Sequence, residues 1–389
     1  MIRIPRRWWA MPAPAASAGA QETAEPRRTQ WADVAKGICI LLVVLWHVVV
    51  KHYLQIDWHL RLPIPGAWGA LGEQLLPLRM PLFFTISGMF AVRAVHRRWG
   101  VLARSKLAKF LYLYAVWLLI HTAVLGLVPD FKTDRARGVL DLVEQLTITP
   151  SNLWYLYALA LYFTIAKAVR RLPAAPVLAV ALALSAIAAA GLLDTPGNRA
   201  GVYQNLVFFL AGLYLQPWVE RWAATANGRR LAGTAALYAV ALAAMAAAGA
   251  QRWIGVWPLV SVLATAFGIT AAALLCRWTA LADALAGLGR RTLPIYVIHM
   301  PVLALLHLLL VDRLSALGPN AQLVLAVGYP ILLTAVVAAL SLAVHRGLLA
   351  ARARWMLELP GRTRTATPPP PELAPAQVRP GAKPLRSIR

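Results

Sequence analysis

Apolar runs of about 20 residues alternate along this chain with short polar connections, and 20 apolar residues is the length a helix needs to cross a bilayer. Ten such runs are evident, at about 35–52, 75–95, 107–128, 151–170, 174–193, 202–219, 231–250, 254–276, 292–311 and 321–345. They predict an all-α polytopic membrane protein with about ten transmembrane helices. The second run is the least regular: Pro77 and Pro81 stand at its start and Gly88 lies inside it, which predicts a bent or partly re-entrant helix. Lys and Arg concentrate in alternate connections, at Arg93–Lys109, Lys167–Arg171, Arg221–Arg230 and Arg277–Arg291, and in both tails. By the positive-inside rule these belong to the cytoplasmic side, so both termini are expected there. The longest connections on the other side, 53–74 and 129–150, read as solvated loops.

Composition supports the membrane reading and narrows the rest. The 389 residues are 60% hydrophobic and only 14% charged, against roughly 25% charged in soluble domains. The net charge of +24 raises a nucleic-acid reading. However, the basic residues occur as short clusters separated by spans, without a basic domain or an aromatic base-stacking platform, so topology and anionic lipid account for them. Residues 1–30 carry arginines but no continuous apolar segment, because Pro12, Pro14, Ser17 and Gly19 interrupt it, and they read as a disordered basic cytoplasmic tail rather than a signal peptide. Residues 346–389, with Pro368 to Pro371 consecutive, read as a second basic, Pro-rich disordered tail, leaving 31–345 as the membrane domain. Cys39 and Cys276 form no metal-ligand spacing, and no metal cluster, P-loop or dinucleotide fingerprint appears.

The candidate chemistry begins in the first span. Lys36 and His47 are eleven residues apart, which closes to within about 20° after three helical turns and separates them by about 16 Å along one face. An imidazole well inside the bilayer on a stripe with a cation is costly unless it faces a protein interior or watery cavity, so it marks a working site. Histidine is the usual base for deprotonating an attacking hydroxyl, and it also serves as a covalent nucleophile. His299 is a second imidazole inside an apolar segment, whereas His121 and His307 fall near span ends and read as interfacial.

These residues carry a resemblance. Asp33 to His47 (DVAKGICILLVVLWH) looks like the first helix of the acyltransferase-3 family of integral membrane acyltransferases, with its Arg or Lys, ten residues and His. Arg79 to Phe90 (RMPLFFTISGMF) resembles that family's second helix. Arg104, Lys106 and Lys109 resemble the basic run before its third, although the usual proline near Leu113 is missing. Asn152 to Tyr157 (NLWYLY), Phe208 to Tyr214 (FFLAGLY) and Leu293 to Pro301 (LPIYVIHMP) follow in family order, so the likeness covers about residues 31–345. Lys in place of Arg at position 36 resembles the branch related to sugar O-acetylases.

The resemblance implies a bacterial inner-membrane O-acyltransferase that uses acetyl-CoA, not a permanently bound cofactor, to acylate a hydroxyl of an envelope carbohydrate or glycolipid. On that reading His47 is the catalytic base and Lys36 its supporting cation. Arg79, Arg93, Arg104, Lys106 and Lys109 are the candidates for holding the donor's phosphates, and Ser87, Trp154, Tyr157 and His299 those for the acceptor. The partners expected are acetyl-CoA, the acceptor and membrane lipids, with no nucleic acid. The competing readings are an exporter of a polar or lipid-linked substrate, to which the absence of an internal repeat is unfavourable, and an assembly subunit that tolerates loss of His47.

Overall fold

The computed structural model describes residues 24–195 and 199–361, with side chains described from residue 30. They form α1 (Ala24–Lys51), α2 (Ile64–Gln74), α3 (Leu76–Val95), the one-turn α4 (Trp99–Leu102), α5 (Ala108–Gly126), α6 (Val139–Thr147), α7 (Trp154–Val169) and α8 (Ala174–Ala189). These are followed by α9 (Arg199–Tyr214), α10 (Gln216–Ala224), α11 (Gly228–Ala247), α12 (Val256–Leu275), α13 (Thr279–Arg290), α14 (Thr292–Ser315) and α15 (Pro319–Ala350). No strand occurs among the described residues. Seven stretches are long and apolar enough to cross a membrane, and α7, α8 and α9 are shorter apolar helices. Each of the ten expected spans meets one of these ten segments, and the chain is an all-α polytopic membrane protein.

The differences lie at the ends. The first helix begins at Ala24, inside the stretch read as tail, while residues 1–23 lie outside the described residues. The 53–74 connection is not a plain loop, because it holds a tight turn (Tyr53–Gln55) and α2. The last helix continues past 345 to Ala350, and the chain then folds back so that the Trp117 indole N–H donates to the Met356 carbonyl at 2.6 Å. The tail beyond 361 lies outside the described residues.

Two proline breaks show how the bundle is tied together. Proline lacks the N–H that would close a helical bond to the carbonyl four residues earlier, so that carbonyl needs another donor. Pro301 in α14 frees the Val297 carbonyl, which accepts from His121 Nε2 of α5 at 2.8 Å. Pro330 in α15 frees the Ala326 carbonyl, which accepts from the Tyr53 hydroxyl at 2.7 Å and the Trp68 indole at 3.2 Å. His121 is therefore buried and structural rather than interfacial. His307 is buried too, with its Nδ1 3.0 Å from Nδ1 of His52, whose Nε2 is 2.7 Å from the Tyr329 hydroxyl.

Small residues set the helix spacing. A Cβ at Gly88 would strike the Phe209 carbonyl of α9, and one at Gly212 would strike the Thr85 carbonyl of α3, so these two backbones touch. Gly88 thus brings α3 close to α9. Gly37 and Gly289 make the same kind of contact between α1 and α13. Helix α3 runs antiparallel to α1: the Lys36 ammonium lies 5.1 Å from the Phe90 ring, and at the far end the Arg79 guanidinium lies 4.6 Å from the Trp46 ring.

Candidate active site

The α1 stripe of Lys36, Ile40 and Val43 forms one wall of a cavity of about 450 Å³. Its basic end is made by Lys36 of α1, Lys106 and Lys109 at the start of the α5 segment, and Arg290 at the end of α13. A π-helical turn, Ala103–Leu107, leads into α5 and carries Lys106; such turns often accompany functional sites. Asp33 is the acid at this end: Lys36 Nζ is 2.7 Å from one carboxylate oxygen and Arg290 lies 3.9 Å from the other. One acid among four cations leaves a surplus of positive charge, which suits a phosphate-bearing ligand. Deeper in, the walls become aromatic, with Phe83, Tyr155 and Tyr296.

The hydroxyl groups of this deeper part are committed to the protein. Ser87 donates to the Phe83 carbonyl at 2.8 Å, so Tyr155 is the donor in the 3.0 Å contact between their hydroxyls. Tyr296 accepts from the Tyr155 backbone N–H at 3.2 Å and donates to the Asn152 carbonyl at 3.0 Å. With those donors spent, the mid-cavity is a mostly apolar channel that suits a chain rather than a sugar.

One helical turn beyond Val43 on the same stripe comes His47, partly exposed, and against it His299 of α14, which is buried. His47 Nδ1 is 2.8 Å from the Val43 carbonyl and 3.3 Å from His299 Nε2. His299 Nδ1 in turn lies 3.1 and 2.7 Å from the Ile295 and Tyr296 carbonyls. Carbonyls only accept, so His299 carries its proton on Nδ1 and offers Nε2 as an acceptor. By the same logic His47 carries its proton on Nδ1, shared between Val43 and His299. Its Nε2 is then the unprotonated nitrogen, which is the form a general base needs.

The sequence-predicted residues divide accordingly. Lys36, Lys106, Lys109 and Ser87 line the cavity, and His47 and His299 meet beyond it. Arg93 and Arg104 are exposed and outside its walls, because α3 and the π-helical turn direct them to solvent. Arg79 is also apart from the lysines: eleven residues of α3 separate it from Phe90, about 16 Å along the axis, and it sits beside Trp46. Trp154 packs on Phe84 and against Gly201 of α9, and the Tyr157 hydroxyl reaches the Thr147 carbonyl of α6 at 3.2 Å, so neither lines the cavity. The aromatic side chain of that segment which does is Tyr155, which points away from the side of the helix that Trp154 and Tyr157 share. Tyr296 and Arg290 were not singled out for the site. The Tyr296 signal was its place three residues before His299, whereas Arg290 was indistinguishable from other topology charges.

Comparison with known proteins identifies the family. The family described as "Acyltransferase domain" matches residues 29–345. The inner membrane protein YcfT of Escherichia coli (strain K12) is 25% identical over 328 residues, covering 77% of this chain and 87% of its own length. No solved structure matches.

Proposed function

The chain belongs to this acyltransferase family of membrane proteins, and from that premise we propose that it is a bacterial inner-membrane O-acetyltransferase using acetyl-CoA as donor. The observation that carries the reading is the stripe on α1, with a cationic chamber at one end and an imidazole of fixed tautomer about 16 Å further on. That separation suits a donor whose phosphates and thioester are joined by an extended pantetheine arm. Lys36, Lys106, Lys109 and Arg290 hold the phosphates on the cytoplasmic side, the aromatic channel takes the arm, and the thioester comes to His47. The acceptor is a hydroxyl of an envelope carbohydrate or glycolipid.

In the transfer, His47 Nε2 takes the hydroxyl proton as the oxygen forms a bond to the thioester carbonyl carbon. The tetrahedral intermediate collapses with cleavage of the carbon–sulfur bond, and the imidazolium returns the proton to the departing thiolate. Lys36 assists by charge at the donor end, held in place by Asp33. The test is acetyl release from labelled acetyl-CoA by purified protein with native membranes, comparing wild type, His47→Ala and Lys36→Ala. Loss of a general base lowers the rate by about 10²–10⁴, and His47→Ala is expected to fall in that range with the fold intact. Lys36→Ala is expected to raise the KM for acetyl-CoA. Undiminished turnover in His47→Ala refutes the assignment.

A further inference from the structure

Arg79 and Lys167 are the arginine and lysine side chains buried among the described residues, and they differ in one respect. Lys167 is satisfied: its ammonium donates to the Val95 carbonyl at 2.7 Å and to the Arg97 carbonyl, closing the end of α3. Arg79 is only 4% exposed, yet its guanidinium makes a single long hydrogen bond, 3.4 Å to the Gly72 carbonyl, and stacks on Trp46. No carboxylate is found in an ion pair with Arg79 among the described residues. A guanidinium has five N–H donors. Burying its charge without a counter-ion is strongly unfavourable.

The surroundings indicate what completes it. Beside the guanidinium, between α1, α2 and α3, is a slot of about 10 Å³ walled by Leu42, Trp46, Leu71 and Leu75. That is room for about one water-sized group of atoms, such as a single anionic oxygen. Gly72 leaves the slot open against Trp46, since a Cβ there would press on the indole at 3.2 Å. The remaining walls are apolar, with Leu45, Val49 and Trp68 besides the leucines, and Leu71 is exposed. The Trp46 ring that carries Arg79 is also in edge contact with His47, at 4.8 Å between centroids. The anion position therefore lies at the level of the base along α1 but around the helix from the stripe, with Trp46 between them, and far from the lysines.

We propose that Arg79 anchors the acyl acceptor, which carries a phosphate or carboxylate seated on this guanidinium while its hydroxyl reaches past Trp46 to His47, and whose attached hydrocarbon lies along the apolar walls. The word acceptor rests on the acyl-transfer reading; the anion site does not. This moves Arg79 from the donor to the acceptor side of the reaction.

The test is thermal unfolding of the full chain in a neutral-headgroup detergent, with dodecyl phosphate, dodecanol or inorganic phosphate added. Ligand that binds only the folded state raises the melting temperature with its concentration. Dodecyl phosphate is expected to raise it by several degrees in wild type, less in Arg79→Lys and not in Arg79→Met, while dodecanol leaves it unchanged. An equal rise with inorganic phosphate alone keeps the anion site but overturns the hydrocarbon part. No rise in wild type, or the same rise in Arg79→Met, overturns the proposal, the second outcome assigning the anion to the lysine chamber. If Arg79→Met does not fold, the reduced response of Arg79→Lys decides. Because the readout needs no turnover, His47→Ala protein must respond as wild type does, and an inactive protein that still responds counts against the acetyltransferase reading alone.

Discussion

Replacing His299 by Leu tests whether the two imidazoles act as a unit. In the resting site the 3.3 Å contact between them is long, and His47 Nδ1 already has the Val43 carbonyl at 2.8 Å. Its worth there is therefore small, and substrate binding should scarcely notice its loss. When His47 takes the acceptor's proton it becomes an imidazolium, and the same Nδ1–H becomes a charged donor facing the unprotonated Nε2 of a buried partner. Hydrogen bonds to charged groups contribute about 1.5–3 kcal/mol, and each 1.36 kcal/mol is tenfold in rate. An interaction that strengthens only as charge develops appears in kcat rather than KM. His299→Leu should thus lower kcat by about ten- to a hundredfold with little change in either KM. Leucine leaves the Ile295 and Tyr296 carbonyls in their helical bonds, so the melting temperature should stay close to wild type. The decisive arm is a double-mutant cycle by acetyl-transfer assay: in a His47→Gln background, adding His299→Leu should cost nothing further, because no imidazolium forms. His299→Gln, whose side-chain oxygen can stand near the Nε2 position, should recover much of the loss. If His299→Leu lowers kcat by the same factor in both backgrounds, His299 acts independently of His47 and the positioning argument fails.

The other predictions concern the donor chamber and the bundle. Lys106→Gln and Lys109→Gln should each raise the KM for acetyl-CoA about tenfold, the scale of one charge-assisted hydrogen bond, whereas Arg104→Gln, whose side chain is outside the chamber, should leave it unchanged in the same titration. His121→Leu should lower stability by about 1–3 kcal/mol in thermal or denaturant unfolding, because the Val297 carbonyl released by Pro301 loses its donor; a melting curve unchanged from wild type would show that this carbonyl finds another partner.

What could be read in advance follows from which information is local. Span positions depend on runs of apolar residues, and the common face of Lys36 and His47 depends only on helical spacing, so both were legible. Helix-to-helix register is not local, and the misplacements trace to it. Arg79 and Arg93 stand at opposite ends of one helix, yet both were grouped with the donor because they share a charge. The antiparallel register of α3 on α1 sends Arg79 to Trp46 and brings Phe90 to Lys36. In the NLWYLY segment, successive residues turn by about 100°, so three aromatics cannot share one face. Tertiary packing gives the cavity Tyr155, and gives Trp154 to α9 and Tyr157 to α6.

The histidines make the same point. Position within a span marked His47, and the Val43 carbonyl that fixes its tautomer is one turn away, but the imidazole that faces it is 252 residues distant. His121 looked interfacial because it lies near a span end, and its role exists only through Pro301 of a different helix. That proline stands two residues after His299, and the carbonyl it frees is one residue after Tyr296, which lines the cavity. A single break in α14 therefore lies between the residue that shapes the channel and the residue that orients the base. The Leu293 to Pro301 segment is thus more than a set of separate matches: its tyrosine, its histidine and the Val297 carbonyl that its proline frees make three different contacts, with α7, α1 and α5, and together they hold the helix that brings His299 to His47.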